Sequence, residues 1–557
     1  MTEVINLTDL RNLQISSETI YVKGYENEGD GGGGLFLWRT ESEFQTGIYS
    51  SENFGTIIKS NLVPNNQGSW VRQYEGFINV LYFGALGFGN DYTDSLQNAI
   101  DFANLNSEIN PTLKGSTVFI PNGSYVISSI LLKTGISIIG ESMESTILYA
   151  TSGSSNDYMF KMESGPVTIN ISKLNLSGQN TKRGAFLFES DGQSTVPFHG
   201  GLWNSRINDI QIYGFLGHGI FLKGGGTNSD YLIPNQFNIF ENIRVFNFSD
   251  NYNSLRLTGQ NGQITFLNCE FDGYFTKTSE DVYTFKKGKN VWIENNDIYQ
   301  SAVISFINCT FQYADYGMYI SWGENITIDN CWFEMLGVSV IVKSNQTSPQ
   351  SEFKPSKSIN VLNSRFANAA GFGSINAPLN VKDGQCVNIS NSFVNINNNY
   401  TAVTDPNGIY FNEDSRFIVA YNNEIGSVIA QGNTFQVDKL GITFGIHQKI
   451  IIQSNNSIDC SGHKLVFIDQ SVINPFTIIE TIKSSICAGE FLTIRADQGS
   501  ITFINTNNIF FKKSSGNSFI MNNGDIATFI KIDNIIGTQI NPIYQSYQLV
   551  SIMRNVV

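Results

Sequence analysis

The six cysteines (Cys269, Cys309, Cys331, Cys386, Cys460, Cys487) form no CxxC pair, and the four histidines are scattered over 557 residues. Such spacing suggests neither a zinc site nor a disulfide framework, and no metal or other cofactor is expected. Basic charge is also short: 34 Lys and Arg against 48 Asp and Glu leave a net charge of −14. A nucleic-acid backbone is therefore not an expected partner. No apolar run approaches the roughly 20 residues of a membrane span, so membrane insertion is not expected. The opening MTEVINLTDLRNLQ has no basic stretch followed by an apolar core, and no secretory signal is expected there. Proline is scarce at 12 residues, while Thr, Asn, Ile, Gly, Phe and Tyr are abundant, which favours strands over helices.

What is present is a repeated phrase. ITFLNCEFDG begins at Ile264, ISFINCTFQY at Ile304 and ITIDNCWFEM at Ile326. Weaker versions occur at INISKLNLSG, INDIQIYGF, NIFENIRVFNF, INVLNSRFAN and VNISNSFVN, spread between about residues 115 and 440. Irregular spacing around a constant core is the signature of a solenoid whose rungs share a strand–turn–strand unit while loops vary in length. A right-handed parallel β-helix is the economical reading, because parallel crossovers take that hand. The fold class expected is thus all-β, a single-stranded right-handed β-helix solenoid.

Alternation assigns each residue of the phrase. In ITIDNCWFE, Ile326, Ile328, Cys331 and Phe333 face inward, Thr327, Asp329, Trp332 and Glu334 face outward, and Asn330 makes the bend. Stacked rungs then place Cys269, Cys309 and Cys331 in one internal file, beside Phe271, Phe311, Phe333 and Phe366. The cysteines are core packing on this reading. Asn268, Asn308, Asn330 and Asn363 form a corner ladder, where Asn tolerates left-handed backbone.

Three regions are expected. Residues 1–78 form a small β unit in which Gly31 to Gly34 make a tight turn or a close approach of chains. Residues 79–440 form the β-helix, opened by a helix with Asp94 as N-cap and Leu96, Ala99, Ile100 and Ala103 on its apolar face, a cap over the end of the coil. Residues 441–557 carry strand-like runs without the phrase, such as FLTIRAD and ATFIKI, and read as a β-sandwich-like domain for trimerisation or carbohydrate binding.

The order GYENEGDGGGGLFLW, GSWVRQYEG, NVLYFGALGFGNDYTDSLQNAI, GSTVFIPNGSYVISS and ISIIGES resembles phage tailspike proteins of the pectate-lyase-like superfamily, most clearly over residues 20 to 145. The resemblance implies a homotrimer attached to a virion tail or baseplate protein by its N-terminus. It also implies that the chain binds and depolymerises bacterial capsular polysaccharide or O-antigen, outside any membrane. Tailspike catalytic positions follow no shared motif, so none is carried over.

Candidate chemistry rests instead on the outward face of the rungs. Glycosidic hydrolysis usually takes two carboxylates, whose separation decides the stereochemistry. Glu270 and Asp272 lie two apart on one strand, roughly 6.6–7 Å by strand rise. Glu334 occupies the position equivalent to Asp272 two rungs on, about 9.6 Å away. Asp329, Trp332 and Arg365 share that wall, as a polar group, a ring for a sugar face and a cation. The insertion 277–300 offers a second carboxylate pair, Glu294 and Asp297, with Trp292 and Tyr299 as sugar contacts. Outward acids on a coil are ordinarily solvated surface, and an outward Trp332 suits either a sugar or a neighbouring subunit. His218 is expected at a turn without a role. The leading function is a tailspike endo-glycosidase; the alternatives are a non-catalytic receptor-binding spike and a polysaccharide lyase.

Overall fold

A computed structural model shows how these patterns fold. The structure describes residues 2–15, 18–40, 51–64, 67–109, 116–154, 156–190, 200–225, 234–279, 282–294, 300–343 and 356–368, and beyond these mainly the backbone of the strands between Leu379 and Met553.

Thirty-one strands join in one ladder, from Ile78–Asn79 to Thr434–Gln436, and all its rung-to-rung pairings are parallel. One register column follows the coil upward: Ile78, Val118, Ile138, Ile171, Ile207, Phe240, Phe266, Phe306, Ile328, Val361 and Ile389. Parallel pairing, each chain returning beside itself, gives the right-handed β-helix. The insertion between Phe266 and Phe306 is long and that between Phe306 and Ile328 short, yet the column is unbroken. Extra residues leave the coil as loops, which explains the irregular spacing in the sequence.

The inward files form as alternation requires. Cys269, Cys309 and Cys331 are buried, unpaired thiols, each donating to a carbonyl one rung below, such as Cys309 Sγ to Phe266 O at 3.4 Å. Burial pushes the Cys309 and Cys331 thiols up, so these are packing groups without redox reactivity. Phe311 stacks between Phe271 and Phe333 at centroid distances of 5.7 and 4.6 Å. The fourth phenylalanine, Phe366, is placed in register with Phe333 by its backbone.

The Asn corner is longer than its four expected members. Lys173, Asp209, Asn242, Asn268, Asn308, Asn330 and Asn363 all hold positive φ between 48° and 59°. Asn308 Nδ2 donates to Asn268 Oδ1 (2.6 Å) and Asn330 Nδ2 to Asn308 Oδ1 (3.2 Å), while Asn363 turns aside to Asp329 Oδ1 (2.8 Å). A second left-handed corner holds Phe237, Gln263, Val303, Asn325 and Ser358. Val and Phe seldom adopt that backbone, so stacking of the rungs imposes it.

Helix Thr93–Ile109 covers the open end of the coil, with Leu96, Ala99, Ile100 and Ala103 buried. Asp94 is not its N-cap: the first helical hydrogen bond runs from Leu96 N to Tyr92 O, and Asp91 Oδ1 accepts from Thr93 N at 3.0 Å. Gln97, near the start of the helix, pairs both ways with the backbone of Leu131. It thereby satisfies one edge of strand Ile130–Leu132, which pairs with Tyr158–Met162 on the other.

The N-terminal unit is a five-stranded sheet between Thr2 and Gln73. Its glycine stretch is a close approach of chains. Asp30 accepts four backbone N–H groups, and the buried Arg72 donates to the carbonyls of Gly32, Gly33 and Gly55. The guanidinium lies between the rings of Phe36 and Tyr82, at 4.5 and 4.4 Å, joining this unit to the start of the coil. Beyond the coil, strands from Ser457 onward form a five-stranded and a three-stranded sheet and a two-stranded pair. Phe503 and Phe529, from the two larger sheets, meet at 5.4 Å, a sandwich-like contact.

Candidate carbohydrate site on the coil

Each rung carries three strands, and the middle one bears the outward carboxylates. Register places Arg244, Glu270, Thr310, Trp332 and Arg365 in one outward file. Phe246, Asp272, Gln312, Glu334 and Ala367 form the next. Glu270, Asp272, Glu334, Trp332 and Arg365 are therefore brought together as alternation implied, with Gln312 between Asp272 and Glu334.

Asp272 differs from expectation. It points outward from the coil but is only 2% exposed. The insertion folds back over it as an antiparallel hairpin, Phe275–Ser279 with Val282–Ile293, and Lys286 packs on the adjacent Gly273. A Cβ on Gly273 would lie 2.1 Å from Tyr313 O and 2.9 Å from Lys286 Cβ, so only glycine permits this closure. Burial first, then the charge of Glu270 and a hydrogen bond with it, hold the Asp272 carboxyl far above the usual carboxylate range. Its Oδ1 has no partner among the described residues. The Glu270 and Asp272 carboxyls thus meet more closely than strand rise implied, with Arg244 Nε 3.9 Å from Glu270.

Glu334 is held differently. Its Oε2 accepts from Gln312 Nε2 (3.0 Å) and Trp332 Nε1 (3.1 Å), and among the described residues Oε1 has no donor. Arg365 lies over the Trp332 ring at 4.4 Å. Thr310, Gln312, Trp332, Glu334, Asn363 and Arg365 line most of a depression of about 350 Å³. Asp329 stands across the corner and accepts from Asn363.

Sequence reading missed Tyr313. It occupies a left-handed bend (φ 60°), its ring lies 4.8 Å from that of Phe275 at a tilt of 37°, and its phenol is raised by burial and by Asp272, Glu334 and Glu270. One phenol therefore senses all three acids. Only the bend following TFQ could have marked it.

The second proposed pair does not join this group. Glu294 accepts from Arg256 Nη2 at 2.7 Å, on the third strand of the rungs, and Trp292 lies beside it under Arg256. Asp297 and Tyr299 lie outside the described residues. His218 lies in the bend between Phe215 and Ile220, buried at 4% exposure; Nδ1 accepts from Asn253 N, and burial lowers its pKa to about 3, so the ring is neutral.

A right-handed parallel β-helix bearing an outward carboxylate triad defines the class. Residues 77–275 match the family described as "Rhamnogalacturonase A/epimerase, pectate lyase-like". Residues 3–75 match the "Phage tail protein small four-stranded beta-sheet domain". No curated protein matches the chain. Among solved structures it is similar to full-length tailspike protein 2 from the Escherichia coli O157:H7 bacteriophage CAB120 (17% identity, 81% of this chain and 57% of that one, TM-score 0.49). It is also similar to tailspike gp49 of Acinetobacter baumannii bacteriophage Fri1, a capsular polysaccharide depolymerase (13%, 99% and 92%, 0.47). A third is the A-module of the Azotobacter vinelandii mannuronan C-5 epimerase AlgE4 (15%, 65% and 97%, 0.44). The chain spans 57% of the length of the tailspike protein 2 structures.

Proposed function

We propose that the chain is a phage tailspike that cleaves a bacterial surface polysaccharide by endo-glycosidic hydrolysis, with Asp272 as general acid and Glu334 as general base. The observation that carries this is the contrast between two neighbouring acids. Among the described residues, one is buried with no cation paired to it and held protonated, and the other keeps an oxygen without a donor at the edge of an open depression. An acid kept protonated at neutral pH can protonate a leaving oxygen, while a carboxylate with an open oxygen can take a proton from water. Their strands are two spacings apart, about 9.6 Å, a separation that suits inversion. Glu270 shares the proton of Asp272, and Trp332 with Arg365 offers a ring and a cation to the sugar.

The match of residues 3–75 to a phage tail domain supports attachment to a virion tail through the N-terminal unit. Assembly as a homotrimer belongs to the same proposal, and light scattering checks it. The pectate lyase-like family supports action on polysaccharide. β-Elimination is the second reading, and the raised Tyr313 phenol argues against that side chain as its base. The test is digestion of a capsule panel followed by mass spectrometry. Hydrolysis gives saturated products carrying one added water, elimination gives unsaturated products absorbing in the ultraviolet, and binding without products leaves only adhesion.

A further inference from the structure

We infer that the hairpin over Asp272 is a cover hinged at Gly273 and Gly288, and that Lys286, buried beneath it, is a positioning residue. When the cover lifts, the Lys286 amine takes up a proton as the Asp272 carboxyl gives one up. The inference rests on the reading of Asp272 as the acid and deepens it. With its carboxyl buried and Oδ1 enclosed, Asp272 cannot touch a glycosidic oxygen from where it lies. That reading therefore requires the cover to move.

The feet of the hairpin suit such a movement. Strand Phe275–Ser279 leaves the coil just after Gly273, and Val282–Ile293 rejoins it around Gly288, which holds φ at 111°. A Cβ on Gly288 would lie 2.7 Å from Asp250 O, so this foot, like Gly273, takes only glycine. The pairing with Thr310–Ser321 shifts register between Lys286 and Lys289, where the hairpin gives way to the coil, and is regular from Val291 to Ile293. Between the two glycines the cover is fastened by the pairing of Lys286 with Ala314 and by Asp250. Asp250 Oδ1 accepts from Tyr274 Oη (2.9 Å) and Lys287 N (2.8 Å).

Closure strands the Lys286 amine. The side chain is fully buried, and among the described residues Nζ has one acceptor, Asn247 Oδ1 at 3.2 Å, and no ion pair. Ser249 N donates to that same oxygen. An ammonium with three donors and one shared amide oxygen is poorly solvated, so the covered amine sheds its proton. Asp250, from the rung below, favours the charge, while the nearby His218 is a neutral ring. From the rung above, Tyr313 brings a backbone carbonyl to Gly273, and Asp315 accepts from Gly288 N at 3.3 Å. On the rung of Lys286 itself, burial keeps Asp272 protonated. The covered state thus holds two neutral groups, and water restores an ammonium and a carboxylate when the cover lifts. Between the amine's lowered pKa of about 7 and the raised value of Asp272, lifting takes up one proton and releases one.

The test is hydrogen exchange of the backbone amides of residues 274–288 in the full-length protein, read by mass spectrometry without polymer. Rates are corrected for the intrinsic pH dependence of exchange and compared from about pH 7 to about pH 8, inside the window set by the two groups. In wild type the two protons cancel, so the opening constant should be nearly flat. Lys286→Met leaves only the proton of Asp272, released on lifting, and its opening constant should rise about tenfold per pH unit. Asp272→Asn leaves only the amine, which takes up a proton on lifting, and its opening constant should fall about tenfold per pH unit. A hairpin that merely packs on the coil gives no such opposition. Slopes of one sign, or no slope in either variant, overturn the inference. Thermal melting checks folding, and should one variant fail to fold, the sign of the other's slope decides. Opposite slopes in a protein that adheres to capsule without cleaving it leave the charge exchange standing and defeat the hydrolysis reading. Cleavage that depends on Asp272, with flat opening in Lys286→Met, does the reverse.

Discussion

Two outward faces of the same coil treat charge in opposite ways. On the third strands Glu294 sits on Arg256, and Glu189 on Lys223. On the middle strands Asp272 is buried with no cation paired to it among the described residues, beside the carboxylate of Glu270. The backbone is equivalent in both places, so the difference lies in the side chains and in the hairpin that closes over Asp272. Burying an unpaired acid lowers stability, whereas an exposed pair such as Lys223 with Glu189 costs little and contributes little. A costly arrangement beside an open depression points to chemistry.

Replacing the acids sharpens that contrast most. Asp272→Asn is expected to lower kcat about 100- to 10,000-fold while melting at a higher temperature at neutral pH. A purely structural acid would lose stability instead. The sign follows from its raised pKa. The stability Asp272 contributes is full below the ordinary carboxylate range and is lost as pH rises through the folded-state value. Activity falls only at the alkaline end of that span, as pH passes the folded-state value, because the proton is the reactant. That limb of the pH profile should persist in Glu294→Gln and vanish in Asp272→Asn.

The core beneath the two faces comes next in size. Phe311→Ala, which opens the stack between Phe271 and Phe333, should cost about 3–5 kcal/mol in denaturant unfolding. Lys286, the buried amine under the hairpin, has its pKa lowered to about 7 by burial. Between that value and the ordinary lysine range the unfolded chain holds a proton that the folded chain lacks, so this residue makes stability rise with pH. Lys286→Met should flatten the rise in melting temperature across that window. Its partner Asn247 Oδ1 still accepts from Ser249 N. The smallest expected effect is Asn308→Ala, about 1–2 kcal/mol for a left-handed corner residue that also loses its amide ladder.

How much of this was legible follows from the physics at each position. Period-two alternation revealed the files of Cys309, Phe311 and Phe333, because a coil buries one side of every strand. Asn marked one left-handed corner through its own tolerance of that backbone. The corner at Phe237 and Val303 was hidden, since packing of neighbouring rungs forces those residues into a conformation their sequence does not announce. The outward acids and Trp332 could be aligned by register. The burial of Asp272 could not, because it depends on how the hairpin that follows folds back over Gly273. Tyr313 was missed because its surroundings come from other rungs: Glu270 and Asp272 from one and Glu334 from another.

The proton on Asp272 is the point on which the account turns. Infrared difference spectroscopy of wild type against Asp272→Asn, recorded at neutral pH, reads that carboxyl directly. A protonated-carboxyl band present in wild type and missing from the variant is the expected result. An ionised-carboxylate band in its place would contradict the assignment of Asp272 as the acid.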